Sequence, residues 1–179
     1  MSRGKCGRGR DFLRFSVYLL AVFLVSVAMV RFMAQKTDVV GNSMNPTLRD
    51  GDSVLVDKVG CRMRDPRRFE IIVFQDSRQE NCYYIKRVIG LPGETVTIEN
   101  GCVCIDGRPL SGPESLVHVT RAGRAGDPVA LGDDEYFVMG DNRSCSSDSR
   151  DYDIGNISGA MIFGRAVAVI WPFDRIRGL

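Results

Sequence analysis

Beyond residue 50 the apolar residues of this chain come in short, β-branched runs, each closed by a turn, and few recur at helical spacing. Val54-Leu55-Val56 follows a Gly51-Asp52 turn. Phe69 to Phe74 is a nearly unbroken apolar run, and Cys82 to Ile89 ends at Gly90-Leu91-Pro92-Gly93. Thr95 to Ile98 and Cys102 to Ile105 flank Asn100-Gly101, the dipeptide that two-residue hairpin turns favour because both central residues need positive φ. Glu135 to Met139 and Phe163 to Trp171 complete the set. No internal repeat or low-complexity tract interrupts them. The pattern predicts a mostly β fold, as a barrel or as packed sheets. The Gly-, Pro- and Arg-rich stretch from Gly112 to Gly132 reads as a surface excursion.

The N-terminal segment is of a different kind. Phe15 to Val30 carries no charge, and Phe32-Met33-Ala34 continues the run past Arg31. Sixteen helical residues span about 24 Å, short of a hydrocarbon core of about 30 Å, and Arg14 and Arg31 can snorkel to the two interfaces. A cleaved leader would want small residues before its cut site, where Phe32 is bulky. A buried soluble helix fits poorly with the basic flank. The expectation is an uncleaved transmembrane anchor over 15–34, preceded by a basic cytoplasmic tail over 1–14 and followed by an extracytoplasmic β-rich domain over 35–179. The bias of Lys and Arg to the N-terminal side sets that orientation.

Charge and cysteines exclude several function classes. The formal net charge is +2, yet the first fourteen residues hold five of the 24 basic side chains and one of the 22 acidic ones. The remainder therefore stands at −2, with no electrostatic footprint for nucleic acid. Of six cysteines, Cys6 precedes the apolar run, and Cys61, Cys82, Cys102, Cys104 and Cys145 follow it. An odd number cannot all pair within one chain, and a bridge between neighbours as close as Cys102 and Cys104 would be strained. One histidine, His118, and no paired CxxC spacing give no zinc site. The acidic residues follow no calcium-loop pattern. No metal and no cofactor is expected.

Three stretches carry the candidate chemistry. In Gly41-Asn42-Ser43-Met44-Asn45-Pro46-Thr47, Pro46 stiffens a turn that presents a hydroxyl, and Gly41 permits close backbone approach. In Tyr84-Ile85-Lys86-Arg87-Val88, strand alternation puts Lys86 on the apolar face with Tyr84 and Val88, and Arg87 on the other. A desolvated ammonium is disfavoured, so Lys86 should be partly neutral near pH 7 to 8 and able to take a serine proton. A strand lysine reaching to water is the plainer reading of that residue. In Gly140-Asp141-Asn142-Arg143-Ser144-Cys145-Ser146-Ser147-Asp148-Ser149-Arg150, hydroxyls and ion pairs either buttress a site or form a solvated loop.

Taken together, Ser43-Met44-x-Pro46-Thr47, Tyr84 through Gly93, and Gly140-Asp141-Asn142-Arg143-x-x-Ser146-x-Asp148-Ser149-Arg150 resemble the three main motifs of bacterial type I signal peptidases, in the family's order. Arg68 to Phe74 and the tail from Phe163 through Pro172 match its layout too, although the box around Phe69 lacks a Gly that the family often has there, and Glu70 stands where Asp is usual. The resemblance implies a membrane-bound serine endopeptidase in the bacterial cytoplasmic membrane, single-pass and monomeric, that removes signal peptides from exported preproteins after small residues at −1 and −3. It implies Ser43 as nucleophile, Lys86 as general base, and Ser146 as a hydroxyl that hydrogen-bonds and orients the lysine. Asp148 and Arg150 become a supporting ion pair, with Arg143 holding the same loop. The Ser43 backbone N–H becomes the oxyanion donor, and Gly41 occupies a position where some relatives carry a serine donor. Val39, Val40, Met44, Tyr84 and Ile85 are the expected substrate-binding residues. Lysine in place of histidine resembles the bacterial form of the family.

Two rival readings remain at this stage. A self-cleaving Ser–Lys repressor would need a DNA-binding region and an upstream Ala-Gly site, but Ala122-Gly123 and Ala125-Gly126 fall after Lys86. A membrane-tethered β-domain that only binds a partner would leave Ser43 and Lys86 structural.

Overall fold

The computed structural model describes residues 6–75, 82–113, 116 and 118–179, with side chains described for all of these except 6–10 and 27–33. The chain divides into two units, Met1–Gln35 and Lys36–Leu179. The first contains one helix, α1 (Cys6–Met33), with no acidic residue in its first turn. Its apolar side chains are exposed, Phe12, Leu19, Phe23 and Leu24 among them. Among the described residues no helix is long and apolar enough to cross a membrane. The expected anchor at 15–34 extends past the described side chains at its C-terminal end, and Arg3 and Lys5 of the basic tail lie outside the described residues.

Among the described residues the second unit is built on two sheets, whose first strand begins at Ala34, just before the boundary. In chain order the strands are β1 (Ala34–Asp38), β2 (Ser53–Asp57), β3 (Ile71–Gln75), β4 (Tyr83–Gly90), β5 (Thr95–Glu99), β6 (Cys102–Ile105), β7 (Arg108–Pro109), β8 (Val129–Ala130), β9 (Glu135–Met139), β10 (Ile157–Ser158), β11 (Ile162–Trp171) and β12 (Arg177–Gly178). One sheet runs β1-β2-β11-β3-β4-β9-β10, with β12 on β11, and the other runs β7-β6-β5-β8. Among the described residues neither closes on itself, so of the two expected forms the packed sheets are found and a closed barrel is not. A short helix α2 (Val59–Met63) follows β2.

Strand β3 shows why its sequence is apolar almost without alternation. Ile71 and Val73 enter one core with Val39, Met44, Leu48, Val54, Val56, Ala166 and Val169. Ile72 and Phe74 enter another with Val88, Tyr136, Val138 and Ile157. A strand covered on both faces has no polar face to display. Strand β9 does the same, sending Tyr136 and Val138 to that second core and Phe137 and Met139 to a third, built largely on the smaller sheet.

Several local expectations change in the structure. The hairpin at Asn100-Gly101 forms as the sequence predicts, with φ of 51° and 78° and Glu99 opposite Cys102. Phe69, read as the first residue of a strand, instead sits in a turn at φ 69°, two residues before β3 begins. The Gly112 to Gly132 stretch is more than a surface excursion. Among its described residues Val119, Ala125, Val129 and Leu131 are buried in the third core, and Gly123–Gly126 forms a 3-10 turn. Its turn-rich composition hides four apolar residues spaced too irregularly to read as an element. The five cysteines from Cys61 to Cys145 are free, with Cys104 buried and Cys102 exposed.

Candidate active site

Ser43 lies in the excursion between β1 and β2, and paired hydrogen bonds close its base. Val39 N–H donates to the Asp52 carbonyl at 2.8 Å, and Gly51 N–H to the Val39 carbonyl at 3.0 Å. Gly41, at φ 89°, donates its N–H to Asp50 Oδ1 at 2.8 Å. A helical turn then follows, with Leu48 N–H donating to the Met44 carbonyl at 2.8 Å, and Met44 and Leu48 are fully buried beneath it. The hydroxyl is thus carried on a turn fixed at both ends and anchored by its own apolar residues.

Lys86 comes from β4, where Ile72 of β3 is its cross-strand partner. Only 3% of it is exposed. Its Nζ lies 2.8 Å from Ser43 Oγ and 3.2 Å from the Ile85 carbonyl, and 5.5 Å from the centre of the Tyr84 ring. Burial pushes its pKa down to about 8, against a weaker opposing pull from the Asp148 carboxylate. A substantial fraction of the amine is therefore neutral near pH 8 and can accept a proton from the hydroxyl it contacts.

The third motif reaches this pair because β9 pairs with β4. Met139 stands opposite Arg87, so the loop that leaves β9 emerges beside Lys86. Asp148 and Arg150 form a bidentate ion pair, with Nε to Oδ1 and an Nη to Oδ2 both at 2.8 Å and both side chains fully buried. Asp148 also accepts the Gly140 N–H at 2.9 Å, and Arg150 donates to the Arg143 carbonyl at 2.8 Å. Burial alone would raise the Asp148 pKa, but the hydrogen bonds and charge of Arg150 outweigh it and hold the carboxyl below its usual range. Arg143 is buried, which lowers its pKa, and it bonds the Leu116 carbonyl and the Met139 sulfur.

Ser146 departs from expectation. Its Oγ is buried and has no hydrogen-bond partner among the described residues, so the predicted bond to Lys86 is not made. The hydroxyl stands near enough to Asp148 to favour its carboxylate, and it packs tightly against Gly140. A Cβ at Gly140 would lie 2.2 Å from Ser146 Oγ and 2.4 Å from the Ser43 carbonyl oxygen. Lys86 instead directs its amine at Ser43.

A groove of about 470 Å³ opens over the pair. Val39, Val40, Met44, Tyr84 and Ile85, the five expected substrate residues, all line it, with Gly41, Ser43 and Lys86. Tyr83, Asn42, Cys145 and Ser147 also line it and were not singled out by the sequence. Two supports were likewise missed. Arg87 pairs bidentately with Asp141 at 2.8 and 2.6 Å and donates to the Phe69 carbonyl at 2.6 Å, tying the box before β3 to the third motif. Asn142 donates its N–H to the Ser43 carbonyl at 3.0 Å and its Nδ2 to the Asn42 carbonyl at 3.1 Å. The signal for the first was the pair of opposite charges at Arg87 and Asp141, which no spacing rule connects across that distance in sequence. Among the described residues no group of His, Cys, Asp and Glu is arranged to hold a metal ion.

A family model described as signal peptidase, peptidase S26, matches residues 12–171. A probable signal peptidase I-2 of Synechocystis sp. is 34% identical over 88% of this chain and 72% of its own length. Signal peptidase I of Bacillus amyloliquefaciens is 35% identical, covering 89% of this chain and 88% of the relative. That of Bacillus licheniformis is 35% identical and covers 90% of each. A crystal structure of a signal peptidase I from Enterococcus faecalis is 31% identical, spans 57% of this chain and 97% of its own, and superposes with a TM-score of 0.48. By the family model and these relatives, the chain belongs to the signal peptidase family, peptidase S26, and is a hydrolase.

Proposed function

We propose that this signal peptidase cuts preproteins with a Ser43–Lys86 dyad through an acyl-enzyme. The observation that carries the reading is the 2.8 Å contact between Lys86 Nζ and Ser43 Oγ beneath an open groove. The neutral amine takes the hydroxyl proton as Oγ bonds to the scissile carbonyl carbon. The oxygen of the tetrahedral intermediate accepts from the Ser43 N–H, which has no acceptor of its own among the described residues. Collapse breaks the C–N bond, and the Lys86 ammonium returns its proton to the leaving amine of the mature protein. The amine, neutral again, then deprotonates a water that attacks the ester. The products are the signal peptide carboxylate and regenerated Ser43.

The substrate lies extended along the groove, its −1 and −3 side chains against the apolar surface of Val39, Val40 and Ile85. Small residues suit it because Met44 and Val39 are buried and cannot withdraw. Asp148 and Arg150 shape the loop behind Lys86, and Arg143 carries the carbonyl that Arg150 grips. Ser146 packs the loop against Gly140. The apolar run at 15–34, broken by Arg31 alone, is the single-pass anchor, with residues 1–14 cytoplasmic and the β-domain on the far side of the bacterial cytoplasmic membrane, as a monomer. The exposed apolar side chains of α1 support that placement.

The test is incubation of the purified full chain with a preprotein in detergent, followed by mapping of the new N-terminus. The reading expects one cut after small residues at −1 and −3, abolished by Ser43→Ala with the fold intact. A cut elsewhere, or one that survives Ser43→Ala, would sink it. The self-cleaving alternative loses support because Ala125 is fully buried and its neighbours are folded into a turn.

A further inference from the structure

The oxyanion site proposed above has a single donor from this stretch, because Gly41 supplies no side chain there. That donor, the Ser43 N–H, shares its peptide plane with the Asn42 carbonyl. The carbonyl is held: its oxygen accepts from Asn142 Nδ2 at 3.1 Å and from the Asn45 N–H at 3.2 Å. The next carbonyl, that of Ser43, accepts the Asn142 N–H at 3.0 Å. Ser144 Oγ donates to Asn142 Oδ1 at 3.1 Å, which commits the carboxamide oxygen and leaves its nitrogen facing Asn42.

From this chain of contacts we infer that Asn142 is a positioning residue for the oxyanion hole, acting through the Asn42–Ser43 peptide plane. A plane pinned at its carbonyl oxygen cannot rock about the flanking torsions, so its N–H is aimed before substrate arrives. Preorganised donors of this kind stabilise a developing oxyanion without reorganisation during the reaction. A hydrogen bond accepted at the carbonyl also polarises the peptide and makes its N–H a stronger donor. Asn142 does not line the groove with Ser43 and Lys86. It lines a separate depression with Asn45, His118, Thr120 and Arg143. The residue therefore acts on the transition state and not on substrate binding.

The inference rests on the dyad reading and is tested apart from it. The full chain in detergent is assayed on a preprotein as Asn142→Ala, Asn142→Asp and Ser144→Ala. Asn142→Asp keeps the shape but turns an oxygen toward the Asn42 oxygen, and all three retain the backbone bond to Ser43. Removing a direct oxyanion donor costs about 10²–10³ in kcat. Loss of a residue that only aims the donor should cost about tenfold or more. KM should stay within about twofold, and the acid limb of the pH profile should stay where it is. Affinity for a peptide aldehyde, which forms a tetrahedral adduct on Ser43, should fall by the same factor as kcat/KM. Ser144→Ala should show a smaller loss in the same direction. Thermal midpoints identify any variant that has failed to fold, and Asn142→Asp then decides. Full kcat in folded Asn142→Asp, or a loss of kcat/KM without a matching loss of aldehyde affinity, overturns the inference and leaves the dyad standing. A wild-type chain that cuts no preprotein would instead remove the dyad reading itself.

Discussion

At the scale of single residues, Lys86 has to meet two opposing demands. A lysine whose folded pKa is about 8 against an ordinary 10.5 destabilises the fold wherever it stays charged. Below pH 8 both the folded and unfolded chains hold the proton, and the full cost of burying the charge applies. As pH rises from 8 to 10.5 the folded chain has released its proton while the unfolded one keeps it, so that cost shrinks. At 1.36 kcal/mol per unit it amounts to about 3 kcal/mol. Lys86→Met should therefore abolish cleavage and raise stability at pH 7 by up to that amount, the gain shrinking as pH rises through 8 and vanishing by about pH 10.5. Denaturant unfolding at the two pH values checks it, and a less stable variant at pH 7 would count against a buried amine. Phe69 gives a second prediction at this scale. Glycine is normally less stable than alanine at a given position by about 0.5–1 kcal/mol. At φ 69° a side chain is strained, so Phe69→Gly should be the more stable of the two by about 1 kcal/mol. The Phe69 ring touches Gly112 and packs on the third core, so both variants should fall below wild type. The usual order of alanine above glycine would contradict the strained turn.

The site at the scale of elements depends on how β4, β9 and the Ser43 turn are held together. Gly140 is the closest point of that assembly, with Ser146 Oγ and the Ser43 carbonyl both within reach of an added methyl. Gly140→Ala should cost activity by at least about tenfold through displacement of the turn, measured as kcat on a preprotein. Wild-type turnover would mean that the Gly140 contact does not set Ser43. Arg150→Met removes one half of a fully buried ion pair and leaves Asp148 uncompensated, which should destabilise the domain by about 3–5 kcal/mol. Equilibrium unfolding reads the loss, and a change under 1 kcal/mol would show that water reaches the carboxylate. Because Asp148 has a lowered pKa, its contribution is present above the unfolded carboxyl value and is lost as pH falls through the folded one.

Elements with strong local signals could be read directly from the sequence: the Asn100-Gly101 hairpin, the β3 run, and Lys86 on the apolar face of β4. What could not be read depended on contacts between distant segments. Nothing near Arg87 names Asp141, which meets it only once β4 and β9 align, and nothing near Asn42 names Asn142, which meets it only once the Ser43 turn docks on the loop leaving β9. The resemblance implies a bond from Ser146 to Lys86, whereas its Oγ has no hydrogen-bond partner among the described residues and packs against Gly140. Phe69 follows the apolar pattern of a strand, but its backbone takes the left-handed turn that a glycine would take there without strain.

The molecule as a whole consists of a helical unit at the N-terminus and a two-sheet domain that brings three motifs, separated by about 40 to 50 residues each, to one groove. Its hydrophobic cores lie on both faces of β3 and β9, so the strands flanking β4 are rigid where Lys86 must be held dry. Substrate choice follows from the same rigidity: replacing Val39 or Ile85 by a larger side chain should narrow what is accepted at −1 and −3. N-terminal mapping on a preprotein set checks this, and unchanged preferences would move the pockets elsewhere. The claim on which the rest depends is that Lys86 is an amine able to shed its proton beside Ser43. The most direct measurement is NMR titration of the lysine Cε signal assigned to residue 86, set beside the acid limb of kcat/KM for preprotein cleavage. Both midpoints should lie near 8. A lysine that titrates at its ordinary 10.5, or cleavage that stays flat as pH falls from 9 to 6, would contradict it.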